Sequence, residues 1–102
     1  MRIIAKKALR DYAAVYKGAD KVSLEQALQA WFREVKQSNW SNANDIKAKY
    51  RSASILKEGR VVFNICGNKF RIVVWVNYSV KIAYIKWVGT HTEYDGIDAE
   101  EV

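Results

Sequence analysis

The chain is 102 residues long, half of it hydrophobic, and carries 17 Lys and Arg against 11 Asp and Glu, a net charge of +6. This supports a single basic domain over residues 1–102 with one modest core, and 13% aromatics without a proline exclude a mainly disordered state. No apolar run approaches the ~18 residues of a membrane helix, and Met1-Arg2-Ile3-Ile4-Ala5-Lys6-Lys7 lacks the apolar stretch of a signal peptide, so a cytoplasmic protein without membrane association is expected.

Arg2 to Ala5 is short and Ile-rich and reads as an edge strand. From Lys6 the period changes: Ala8, Leu9, Tyr12, Ala13 and Tyr16 recur at helical spacing, predicting a helix over 6–17 with Gly18 as its stop. Ser23-Leu24-Glu25-Gln26 has the form of a capping box, and Leu24, Ala27, Leu28, Trp31, Phe32 and Val35 then fill one stripe. A strongly amphipathic helix is expected over 24–37, with Trp31 and Phe32 as core anchors. Ser38 to Asn44 reads as a loop carrying Trp40, and Asp45 to Tyr50 as a short helical turn. The period then drops to two. Ser54 to Lys57, Arg60 to Cys66, Lys69 to Tyr78 and Lys81 to Val88 read as strands, with Glu58-Gly59 and Gly67-Asn68 as turns. The expected class is α+β, two N-terminal helices on one face of a three- to four-stranded antiparallel sheet.

A Gly67-Asn68 turn sets Ile65 opposite Phe70, Asn64 opposite Arg71 and Val62 opposite Val73. Val61, Phe63, Ile65, Phe70, Ile72, Val74 and Val76 then share one apolar face for the helices to cover. Arg60, Val62, Asn64, Lys69, Arg71, Val73, Trp75 and Asn77 share the other, mixing cations, amides and an aromatic. An open face of this kind suits single-stranded RNA, whose phosphates need cations and whose unpaired bases stack on planar groups. It equally suits a half-solvated sheet whose outer face is polar by default. Lys86 has no assigned face, because Ile82/Tyr84/Val88 and Ala83/Ile85/Trp87 are both apolar series.

The lone histidine, His91, follows the last strand in Gly89-Thr90-His91-Thr92-Glu93-Tyr94-Asp95 and is a candidate general acid or base. One histidine with scattered carboxylates is not a metal-ligand set, and no phosphate loop, dinucleotide fingerprint or nucleophile elbow is present, so no metal and no cofactor are expected. The single Cys66 can form no internal disulfide and reads as a buried, inert thiol on a strand. Glu93, Asp95, Asp98, Glu100 and Glu101 make residues 93–102 an acidic tail. Residues 1–92 are left with 17 basic against 6 acidic groups, a net of +11. Such an excess points to a polyanion, bound with strong salt dependence, although a solvated basic surface would also serve solubility alone. The tail is expected to be either a mobile end or a shield over the basic face.

Arg60-Val61-Val62-Phe63-Asn64-Ile65, then Gly67-Asn68-Lys69-Phe70-Arg71-Ile72-Val73, then Thr90-His91-Thr92-Glu93-Tyr94-Asp95 resemble the HigB-type toxins of the RelE/ParE superfamily. Asp45-Ile46-Lys47-Ala48 and Tyr50-Arg51-Ser52-Ala53 look like the same family, and the resemblance spans about residues 1–97. It implies a RelE-like fold and a type II toxin–antitoxin toxin that cuts mRNA in the translating ribosome without metal. It implies a cognate helix-turn-helix antitoxin of the HigA type as partner, besides mRNA and the ribosome. For the implied chemistry the expected catalytic set is Arg71, Lys69, His91 and Tyr94, with Arg60, Asn64, Lys57 and Lys86 as RNA contacts. Arg71 is the first choice because its planar fork matches a phosphate. A non-catalytic RNA- or ribosome-binding module, a gyrase inhibitor like the ParE members, and a structural adaptor for an acidic protein are the competing readings.

Overall fold

The hairpin register set by the Gly67-Asn68 turn is the one the chain adopts. The computed structural model describes residues 1–102, with Ile65 paired to Phe70, Asn64 to Arg71 and Val62 to Val73. The elements in chain order are β1 (Arg2–Ile4), α1 (Lys6–Val15), α2 (Lys21–Gln37), α3 (Ala43–Lys49), β2 (Ser54–Ile55), β3 (Arg60–Ile65), β4 (Phe70–Asn77), β5 (Ile82–Thr90) and α4 (His91–Tyr94). The class is α+β as expected, but the sheet has five strands in the order β1-β5-β4-β3-β2. It is mixed rather than antiparallel, because β1 runs parallel to β5 from the Arg2–Ile82 pair onward. Helix α1 supplies part of the connection that returns the chain from the β1 edge.

Several boundaries move for physical reasons. α1 ends at Val15, where Tyr16 turns extended. Gly18 is not a helix cap. A side chain there would collide with the Tyr16 ring, so its bareness lets that ring fold back over the chain. α2 begins at Lys21, which places Ser23 inside the helix, and no Ser23–Gln26 capping box forms. The loop residue Trp40 is buried, stacking on Phe63 at 6.0 Å while Trp31 and Tyr50 meet the same ring edge-on. Cys66 lies off the strand in a left-handed conformation (φ 53°), half-buried, with Gly67 at φ 66°. Lys69 N–H closes the turn onto the Cys66 carbonyl at 3.3 Å.

The expected apolar face is the core. Val61, Phe63, Ile65, Phe70, Ile72, Val74 and Val76 are all buried with Leu9, Leu24, Leu28, Trp31 and Val35 from the two helices. β5 resolves its double apolar series by a bulge. Val73 pairs with Trp87 and Val74 with Ile85, which leaves Lys86 as the extra residue. Ala83, Ile85 and Val88 therefore join the core side, while Tyr84 and Trp87 face the other way.

Deleting Lys86 should leave a folded protein, since Ile85 and Trp87 keep their faces when the bulge closes. Deleting Ile85 would push Lys86 into the core instead and should cost several kcal/mol. Thermal unfolding of the two deletions compares them directly. Equal damage from both would mean that the bulge itself is required.

Candidate nucleic-acid interface and active site

The hairpin end of the sheet gathers the chemistry. Arg71 on β4 stands between its cross-strand partners Asn64 and Gly89. Gly89 has no side chain because the Trp87 indole occupies that space: a Cβ there would come within 2.4 Å of the ring. Trp87 in turn meets Tyr94 with ring centres 6.1 Å apart, and the Arg71 guanidinium lies 5.8 Å from the Tyr94 ring centre. Arg71 Nη1 donates to the Asn68 carbonyl at 2.8 Å, and Nη2 approaches His91 Nδ1 at 3.4 Å. A guanidinium only donates, so this contact uses the imidazole with its proton on Nε2. His91 Nε2 is 4.0 Å from Asp95, and the His91 N–H donates to the Lys69 carbonyl at 2.8 Å.

α4 holds His91 and Tyr94, and a capping box holds α4. Glu93 N–H donates to the Thr90 hydroxyl at 3.0 Å, and Thr90 N–H donates to Glu93 Oε1 at 2.8 Å. The same Oε1 accepts the Tyr12 hydroxyl of α1 at 2.9 Å. Thr90's N–H and then Tyr12 hold the Glu93 carboxyl below its ordinary range. Burial first, and then the Glu93 bond, push the Tyr12 phenol far above its own. Sequence reading missed both partners. Thr90-x-x-Glu93 is a readable capping box, whereas Tyr12 lies 81 positions away and carries no local signal.

Arg71, His91 and Tyr94 thus come together, and Lys69 lines a cleft with His91. Lys69 is paired with Asp20 at 3.4 Å. The remaining expected RNA contacts are engaged elsewhere. Asn64 donates its amide to the Ser52 carbonyl at 3.0 Å, pinning the chain before β2. Lys86, on the bulge, holds its ammonium 5.7 Å from the Tyr84 ring centre. Tyr84 pairs with Trp75, four residues along β4 from Arg71 and therefore about 13 Å away. Arg60 donates to the Val102 main-chain oxygen at 2.6 Å, and Lys57 pairs with Glu100 at 3.3 Å.

These last two contacts belong to the acidic tail, which is a shield and not a loose end. Ala99 is buried with Val62 and Val73, ringed by Leu56, Trp87, Tyr94, Ile97 and Val102. The second face is therefore not open along its length, as its alternation suggested. The tail covers its middle and leaves the hairpin end around Arg71 and His91 uncovered. Guanidinium, imidazole, phenol and ammonium groups converging there can bind a phosphate and move a proton.

A mixed sheet with two helices on one face and a capped basic site at its end fits a RelE-like fold, and no helix is long and apolar enough to cross a membrane. The sequence model of the HigB toxins, the RelE-like toxic component of a toxin–antitoxin system, matches residues 24–97, and the chain belongs to that family. It is 31% identical over 97 residues to the mRNA interferase toxin HigB of Escherichia coli K12, covering 93% of this chain and 88% of that one. The same figures hold for the mRNA interferase HigB of Shigella flexneri. A HigB of Escherichia coli O6:H1 is 25% identical, covering 93% and 89%.

Glu93→Ala should cost about 1 kcal/mol through the lost cap and lower the melting temperature by roughly 5 °C. Glu93→Gln, which retains an acceptor, should recover most of it. The folded Glu93 carboxyl titrates below its unfolded value, so its contribution is complete above the ordinary value of 4.5 and disappears as pH falls through the lowered one. Melting temperature against pH should accordingly flatten on the acid side in Glu93→Gln. An unchanged profile would show that the carboxylate contributes no acid sensitivity.

Proposed function

We propose that the chain is the toxin of a type II toxin–antitoxin pair and acts as an mRNA endoribonuclease in the cytoplasm, on messages in the translating ribosome. A cognate helix-turn-helix antitoxin of the HigA type neutralises it. Family membership supports the class, and the named activity of the relatives supports the reaction. The observation that carries the chemistry is the contact of Arg71 with His91 at the uncovered end of the basic face.

The reaction uses the substrate's own nucleophile and needs no metal. The 2′-oxygen attacks the adjacent phosphorus, the bond to the 5′-oxygen breaks, and the products are a 2′,3′-cyclic phosphate and a 5′-hydroxyl. Arg71 turns its fork from His91 Nδ1 to the non-bridging oxygens, where phosphorane charge develops. That turn frees the Nδ1 lone pair to take the 2′-hydroxyl proton. Lys69 adds positive charge from the adjoining cleft. Tyr94 stacks against the substrate, and its hydroxyl protonates the departing 5′-oxygen. Arg60 reaches RNA only where the tail yields, and Lys57 by exchanging its exposed Glu100 pair for a phosphate.

Mapping RNA ends on one defined message, with and without translating ribosomes, tests this reading. New ends within the reading frame are expected in the ribosome reaction. Arg71→Ala should lower their yield about 100-fold or more with the fold intact. His91→Gln should lower it by a similar factor and flatten the pH dependence. A folded protein that yields no new ends in either reaction is a binding module or a gyrase inhibitor.

A further inference from the structure

The cleft between Lys69 and His91 contains a residue that the proposed reaction does not use. Its volume is about 420 Å³, within the range of ligand pockets, and Tyr16, Asp20, Asn68, Thr90 and Thr92 line it with those two. Asp20 is the only half-buried side-chain carboxylate; its side chain retains 23% of its surface. It occupies the N-cap position of α2, where an aspartate ordinarily accepts main-chain N–H groups, yet makes no such bond. Its oxygens turn instead to the Tyr16 hydroxyl at 2.5 Å and to Lys69 at 3.4 Å. Bare Gly18 leaves the room in which the Tyr16 ring reaches it. The Tyr16 bond, then its own main-chain N–H and Lys69, hold the Asp20 carboxyl below its ordinary range, so it is an acceptor at neutral pH.

An anion beside a polyanion site weakens binding unless it meets hydrogen-bond donors. We propose that Asp20 is a specificity-determining residue, reading the base next to the cleaved phosphodiester in this cleft and favouring bases that carry an amino group over uracil. The inference rests on the ribonuclease reading and adds what the site selects. A carboxylate has about four acceptor positions, so two contacts leave capacity for a base edge. Guanine, adenine and cytosine each present an amino group. Uracil presents one N–H between two carbonyl oxygens, which the carboxylate repels. Tyr16 and Lys69 orient the carboxylate, and His91 lines the same cleft.

The experiment is end-mapping with ribosomes on a message library randomised at the flanking positions, using wild type, Asp20→Asn and Lys69→Ala. Wild type should cut at least about tenfold less where uracil fills the position read. Asp20→Asn keeps an acceptor for Tyr16 but turns a donor toward the base, so the preference should shift toward uracil. Lys69→Ala should lower the rate at every site and loosen the preference without turning it toward uracil. Binding of non-cleavable 2′-O-methyl oligonucleotides differing at one base gives a second readout, and Asp20→Ser a second variant should the first fail to fold. A uniform loss in Asp20→Asn, with affinities equal for all bases, would reduce Asp20 to a support for Lys69 and overturn the inference. Absence of cleavage by wild type, with base-selective binding retained and lost in Asp20→Asn, would refute the ribonuclease while upholding the reader. Absence of both cleavage and selective binding would end both.

Discussion

β4 has to be dry on both faces. Ile72, Val73 and Val74 are consecutive, point alternately up and down, and are each wholly buried. Helices can cover only one side, so the other must be closed by something else. Ala99 with Ile97 and Val102 from the tail closes it, over Val62 and Val73. Much of the arrangement depends on this constraint. It draws an acidic segment onto a basic face and ties Arg60 and Lys57 to the tail, while Arg71 emerges at the uncovered hairpin end of the sheet.

That end is built from main-chain ties more than from side-chain pairs. The Asn68 carbonyl positions Arg71, the Lys69 carbonyl receives the His91 N–H, and the Thr90–Glu93 box holds the turn that bears His91. Tyr12 then couples the turn to α1 across the whole sequence. The imidazole and guanidinium are thereby placed before any substrate arrives, and such preorganisation is what makes fixed charges effective in catalysis.

Much of this was legible in the residues. The Gly67-Asn68 turn gave the register of β3 and β4, and alternation then separated the core face from the Arg71 face. Where reading failed, the cause was long-range or irregular. Trp40 looked like a loop residue because nothing local shows that Phe63 is its partner. The Lys86 bulge hid in two overlapping apolar series, each of them partly real. Ser23 displayed a capping pattern that α2 overran, while the pattern at Thr90 went unread. The sparse Ile97, Ala99 and Val102 were masked by the acids between them. Asp20 carried no signal in one dimension, because the Lys69 contact joins separate elements.

The docked tail also fixes how many counterions RNA can displace. Each phosphate neutralised on a single strand contributes about −0.7 to the slope of log affinity against log salt. While Arg60 and Lys57 hold the Val102 main-chain oxygen and Glu100, neither is directed at a phosphate and both contribute little to that slope. Should RNA displace the tail, the two cations rejoin the count and the slope steepens by about 1.4. The ionic-strength dependence of binding is therefore a gauge of the tail's position, readable without a label on either molecule.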